Sequence, residues 1–168
     1  MKVPLLDLEA QYAVVREKVR AAVDEVLESQ HFILGCQVSR LEEEIARLCD
    51  LPYAVGVASG TDALLLALKA LGVGPGDSVI TVPYTFYATA STIVNLGARP
   101  LFVDIDDASY NMDPEQLAQL LERDCWFKPS SGTLVHKSSE TTVKAIVPVH
   151  LFGQCAEMDA INEIARRH

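Results

Sequence analysis

The 168 residues lack a basic surplus: 14 Lys and Arg stand against 23 Asp and Glu, a net charge of -9. Nucleic-acid binding needs clustered cations to neutralise phosphates, so that class is set aside and the acidity is read as a solubility feature. The four cysteines, at 36, 49, 125 and 155, form no CxxC pair and have no zinc-type Cys/His spacing. Reduced thiols in a cytoplasmic protein are the simplest account. No secretory signal is expected, because Met1-Lys2-Val3-Pro4 leads into Asp7 and Glu9 without a long apolar run. There is no P-loop, and the glycines from Gly72 to Gly76 do not form a dinucleotide fingerprint. A triad of Ser59, His150 and an Asp finds no G-x-S-x-G elbow to support it. Charge is absent from Ser78 to Ala98, a stretch long enough to cross a bilayer. Pro83, Asn95 and the hydroxyls from Thr81 to Thr92 make it a poor membrane helix, so a buried strand followed by a buried helix is expected.

Nearly half of the chain is apolar and it is long enough for one α/β domain with a real core. Leu8, Tyr12, Val15, Val19, Val23, Val26 and Leu27 recur at helical spacing, and Asp7 can cap that helix over 8–28. After Gly35, Ser39-Arg40-Leu41-Glu42 reads as the capping box of a second helix that buries Val38, Leu41, Ile45 and Leu48. Residues 1–50 are thus a helical N-terminal arm. From residue 51 the period changes. Strands are expected at 53–58, 78–82, 100–104 and 143–149, and helices at 63–71, 86–96, from Asp113-Pro114, and at 158–167. Strands alternating with helices imply right-handed βαβ units, and near-continuous apolar strands imply helices on both faces. The fold class is α/β, a three-layer α/β/α arrangement with a mostly parallel sheet over 51–168. Residues 123–142 carry no clear period and are read as an extended surface loop.

Three segments could carry chemistry at the carboxyl ends of these strands. Ser59-Gly60-Thr61 stands between a strand and a helix, where free N–H groups and the helix dipole favour an anion; Gly60 permits close approach and the two hydroxyls add donors. The plain alternative is an ordinary helix cap. Tyr84, Phe86 and Tyr87 follow the next strand, and one ring could stack on a flat heteroaromatic group or simply pack in a core. His150 ends the strand at 143–149 and faces the same crevice, as a ligand-facing or a structural histidine. Asp104, Asp106 and Asp107 lack the spacing of a calcium loop and read as a solvated turn, so no metal site is expected.

In order along the chain, Val3–Leu8, His31–Gly35, Ser59–Leu64, Gly74–Ile80, Thr85-Phe86, Gly97–Pro100, Val103–Ile105 and Val149–Gly153 resemble the DegT/DnrJ/EryC1/StrS family of sugar aminotransferases. The resemblance implies the large domain of fold-type I pyridoxal-phosphate enzymes, a homodimer, and transfer of an amino group from glutamate to a keto group on a nucleotide-linked sugar. It implies that Gly60 and Thr61, with Ser59, hold the cofactor phosphate, that Phe86 stacks on the pyridine ring, and that His150 sits near the ring. The family's ring-nitrogen Asp and its Schiff-base lysine would follow His168, together with a small C-terminal domain. No catalytic residue is therefore expected within these residues: none of Lys2, Lys18, Lys69, Lys128, Lys137 and Lys144 stands in a matching motif. The expectation is the front part of such an enzyme, inactive and poorly soluble by itself. A non-catalytic pyridoxal-phosphate or phosphosugar-binding module, a dimerising fragment, and a sugar-dehydratase relative are the alternatives.

Overall fold

The structure, a computed structural model, describes Val3 and residues 5–168; the sequence start at Met1, Lys2 and Pro4 lies outside the described residues. The chain divides into two compact units, one ending at Gly56 and one from Val57 to His168.

In the first unit, α1 spans Leu8–Ser29, and the Asp7 carboxylate accepts the Ala10 N–H at 2.9 Å. It ends at Gln30, in the left-handed region at φ 57°. The second helix, α2 (Cys36–Leu48), starts earlier than expected, with Gly35 at its N-cap and no side-chain cap. The expected capping box does not form, because Ser39 already lies inside the helix. Glu42 accepts the Gly56 N–H at 2.7 Å instead. Nor does α2 bury its apolar stripe. Ala46 is its one buried residue, while Leu41, Ile45 and Leu48 are 56, 41 and 81% exposed.

The second unit carries α3 (Gly60–Ala70), β1 (Asp77–Thr81), α4 (Tyr87–Asn95), β2 (Arg99–Phe102), α5 (Pro114–Gln119), β3 (Cys125–Lys128), β4 (Thr133–His136), β5 (Thr141–Ile146) and α6 (Met158–Arg167). The strands form one sheet in the order β2-β1-β5-β4-β3, parallel across β2-β1-β5 and antiparallel across β5-β4-β3. The pleat of β1 sends successive side chains to opposite faces. Ile80 and Val82 meet Leu101, Val103, Leu117 and Ile161 on one face. Val79 meets Leu68, Ile93 and Ala98 on the other. Both faces are covered, which makes the three layers. Val79, Ile80, Ile93 and Leu117 are fully enclosed, and each such side chain contributes about 1.5–3 kcal/mol by leaving water. Thr81 keeps its buried hydroxyl satisfied by donating to the Val147 carbonyl at 2.9 Å. Ser78–Ala98 becomes β1 and α4, and no described helix is long and apolar enough to cross a membrane.

Two further expectations are corrected. Residues 53–58 pair in no ladder, and both edges of β1 are taken by β2 and β5. Tyr53 and Val55 remain 83 and 79% exposed; an apolar run with β-propensity is a strand only where a neighbour accepts its hydrogen bonds. Residues 123–142 are no surface loop. Their central part is the β3–β4 hairpin, closed by Gly132 at φ 66° with its N–H on the Lys128 carbonyl at 2.9 Å. Its strands have four residues each, too few to show a period, and they bury Cys125 and Val135. A π-helical turn, Leu120–Asp124, joins α5 to this hairpin.

Candidate active site

The connection through Gly72–Gly76 folds α3 back into β1, and α4 returns from β1 to pack beside α3. Both helices therefore run against β1, with their N-termini at its carboxyl end. β5 is parallel to β1, so the residues after it arrive at the same end. Topology thus gathers Ser59, Gly60, Thr61, Phe86 and His150 at one end of the sheet, where open α/β sheets bind ligands.

At the start of α3, Ser59 is the N-cap. Its Oγ accepts the Asp62 N–H at 3.1 Å and donates its one proton to Asp62 Oδ2 at 2.9 Å. That hydroxyl has no proton left for a ligand, so the cap role fits Ser59 as seen here. Gly60 and Thr61 differ. Their N–H groups have no acceptor among the described residues, and both residues are exposed. A Cβ placed on Gly60 would meet nothing within 4 Å, so neither packing nor a positive φ requires glycine there. The backbone at Gly60 is therefore open to close approach by an external group. Two free N–H groups, one free hydroxyl and the positive end of an 11-residue helix suit a phosphate. The Asp62 carboxylate in the first turn opposes an anion on its own side.

Phe86 is the N-cap residue of α4, with its ring 77% exposed, and Tyr87 beside it is 80% exposed. Tyr84 instead turns to Tyr110, with ring centroids 6.1 Å apart and a 51° tilt. Of the three expected aromatics, Phe86 and Tyr87 present open faces.

His150 Nδ1 accepts the Ala156 N–H at 3.0 Å. This bond selects the tautomer protonated on Nε2, so only Nε2–H can address a ligand. The loop folds tightly through Phe152 and Gly153, at φ 51° and 88°. Asn111 staples it: Nδ2 donates to the Gln154 carbonyl at 3.1 Å, and Oδ1 accepts the Leu151 N–H at 3.0 Å. Asn111 is 2% exposed, and the sequence reading missed it. Its only signal was an amide between a turn and the Asp113-Pro114 helix start.

The acidic turn binds its own backbone. Asp106 Oδ1 accepts the N–H groups of Ser109 at 2.8 Å and Ala108 at 3.2 Å. The bonds from Ser109 above all hold its carboxyl below the ordinary aspartate value of 3.8. No metal-holding cluster occurs among the described residues.

The lysines of this unit lie elsewhere. Lys69 ends α3, the Lys144 Nζ reaches toward Gly72 at the opposite end of β1, Lys137 donates to the Arg123 carbonyl, and Lys128 begins the hairpin turn.

Residues 14–168 match the model of the DegT/DnrJ/EryC1/StrS aminotransferase family. The chain belongs to that family. Among its relatives, it is 44% identical over 168 residues to the pleiotropic regulatory protein of Geobacillus stearothermophilus, covering 100% of this chain and 40% of that protein. It is 42% identical to the UDP-2-acetamido-2-deoxy-3-oxo-D-glucuronate aminotransferase of Pseudomonas aeruginosa, covering 99% of this chain and 41% of the other. The crystal structure of a family aminotransferase from Brucella abortus superposes with a TM-score of 0.86 at 35% identity, over 99% of this chain and 42% of that one. The chain therefore spans about 40% of the length of these relatives. The fold-type I assignment follows from the structural likeness.

Proposed function

We propose that this chain forms the phosphate- and ring-binding end of a pyridoxal-phosphate-dependent aminotransferase acting on a nucleotide-linked sugar, with glutamate as amino donor. Residues 1–50 are read as the helical arm, and 51–168 as the sheet region of the cofactor-binding domain of a cytoplasmic homodimer. Family membership supports the cofactor and reaction class. The aminotransferases of UDP- and dTDP-sugars among its relatives support the substrate class and a place in glycan or polysaccharide synthesis. The observation that carries the site is the pair of free N–H groups at Gly60 and Thr61, beside a glycine that its own chain does not require.

In this reading, Gly60 and Thr61 hold the phosphate dianion by two N–H donors and the Thr61 hydroxyl. Ser59 fixes the first turn so that these donors converge. The Phe86 ring covers one face of the pyridine and excludes water from it. His150, locked by Ala156, offers its Nε2 proton at the crevice. The cofactor, when bound, supplies an electron sink for amino-group transfer. Among the described residues, no lysine of this unit stands at that end, so these residues bind and orient without providing an amine.

The test compares pyridoxamine 5′-phosphate with unphosphorylated pyridoxamine. The phosphorylated form should bind at least about tenfold more tightly, since charge-assisted bonds are each worth about 1.5–3 kcal/mol. Gly60→Val places its side chain in open space yet blocks the donors, and should remove that preference. Equal binding of the two amines, or full retention of the preference in Gly60→Val, contradicts the reading.

A further inference from the structure

The acidic turn after β2 is closed more firmly than a solvated turn requires. Asp106 accepts the Ser109 and Ala108 N–H groups through Oδ1, and the Tyr110 N–H through its carbonyl at 2.8 Å. Its own N–H donates to the Asn111 carbonyl at 2.9 Å, and Ile105 and Met112 bridge antiparallel beside it. Tyr110 takes the left-handed region at φ 59°, and its ring leans on Tyr84, two residues before Phe86. Met112 anchors the far side of the turn in the core. Asn111 is thereby held between two fixed neighbours, with its amide buried.

The loop that this amide reaches carries strain. Phe152 stands at φ 51°, unfavourable for a bulky residue, and its ring is 94% exposed and gains nothing from packing there. Such a conformation persists only where neighbouring bonds over-determine it. Asn111 supplies them on both sides, at the Leu151 N–H and at the Gln154 carbonyl. His150 opens the same loop, and its Nδ1 accepts from Ala156 at the other end. The ring is therefore oriented only while the loop keeps its shape.

We propose that Asn111, presented by the Asp106 turn, is a positioning residue that fixes the His150 ring with its Nε2 proton toward the crevice. The consequence for cofactor binding rests on the function proposed above; the hold on the ring does not. Asp106 acts through Asn111, and Asn111 through His150.

Long-range ¹H–¹⁵N NMR of the full chain at about pH 8, where an ordinary histidine is neutral, reads the tautomer. His150 should carry its proton on Nε2 in the unchanged chain and should populate both tautomers in Asn111→Ala. Asp106→Ala, which keeps the amide, should give a smaller change in the same direction, and no further change when added to Asn111→Ala. Urea unfolding checks that each variant is folded; should Asn111→Ala fail to fold, Asp106→Ala decides alone. Affinity for pyridoxamine 5′-phosphate should fall roughly three- to tenfold in Asn111→Ala, the worth of one neutral hydrogen bond, while the preference over pyridoxamine is kept. In a His150→Ala background the same substitution should cost less than about twofold. A His150 ring that keeps its Nε2 proton in both variants overturns the proposal, as does an equal loss of affinity with and without the His150 side chain. A shifted tautomer with no preference for the phosphorylated amine overturns the cofactor reading and upholds the hold on His150.

Discussion

Replacing Asn111 with alanine strips two hydrogen bonds from the loop that carries His150. The lost partners are the Leu151 N–H, held at 3.0 Å, and the Gln154 carbonyl, held at 3.1 Å. A neutral hydrogen bond is worth about 0.5–1.5 kcal/mol net, and a buried group left unsatisfied costs about 1–3 kcal/mol. Leu151 is half-buried and Gln154 exposed, so water can recover the carbonyl more readily than the N–H. The expected loss is about 2–3 kcal/mol, a large part of a domain's usual 5–15 kcal/mol. Asn111→Asp separates the two contacts. The carboxylate keeps an acceptor for Leu151 but faces the Gln154 carbonyl and is desolvated, which raises its folded pKa. The neutral acid can donate to that carbonyl. Its stability contribution is therefore present below the ordinary aspartate pKa and is lost as pH rises through the raised folded value. At pH 7 this variant should be no more stable than the alanine one, and it should overtake it as the pH falls toward 4. Urea unfolding followed by Trp126, the single tryptophan, reads these differences. A loss below about 0.5 kcal/mol for Asn111→Ala, or wild-type stability of Asn111→Asp at pH 7, would refute the staple.

Gly97 sits at φ 77°, and an added Cβ would lie 3.0 Å from Pro75 Cγ, so Gly97→Ala should cost about 1–2 kcal/mol in the same unfolding assay. Ser59→Ala should cost about 1 kcal/mol of stability through the lost cap and should weaken pyridoxamine 5′-phosphate binding less than Gly60→Val does, because the hydroxyl proton is already held by Asp62 and only the setting of the first turn is lost. Thiol labelling at pH 8 should modify Cys36, Cys49 and Cys155 quickly and Cys125 slowly. Burial first, then the Asp124 charge, pushes the Cys125 thiol upward; the stability gained by keeping it protonated is present below the ordinary thiol pKa and lost as pH rises through the raised value. The 168-residue chain mixed with glutamate, pyridoxal phosphate and a nucleotide keto-sugar should give no amino-sugar above the enzyme-free rate, and measurable turnover would show that one of its own lysines serves.

How much of this was legible depends on how local each signal was. The Asp7 cap, the Asp113-Pro114 helix start, the glycine stop after α4 and the β1–α4 switch are set by neighbouring residues, and the structure has all of them. The failures concern distant partners. Tyr53–Ala58 has a strand's composition but no strand to pair with. Ser39 and Glu42 have a capping box's spacing, but Gly35 starts the helix first and Glu42 turns to Gly56. The β3–β4 hairpin was hidden because four-residue strands have almost no period. At the candidate site, the residue types and their common end of the sheet could be anticipated from βαβ logic. The fate of the Ser59 proton, the orientation of His150 and the Asn111 staple could not, because each rests on a single hydrogen bond or on contacts about 40 residues apart.

The binding of the cofactor phosphate at the head of α3 is tested most directly by amide NMR of the ¹⁵N-labelled chain titrated with pyridoxamine 5′-phosphate. The Gly60 and Thr61 amides should shift first and furthest, with ring-current shifts beside Phe86 saturating at the same concentration. Saturable binding that leaves Gly60 and Thr61 unmoved while other amides respond would contradict the account.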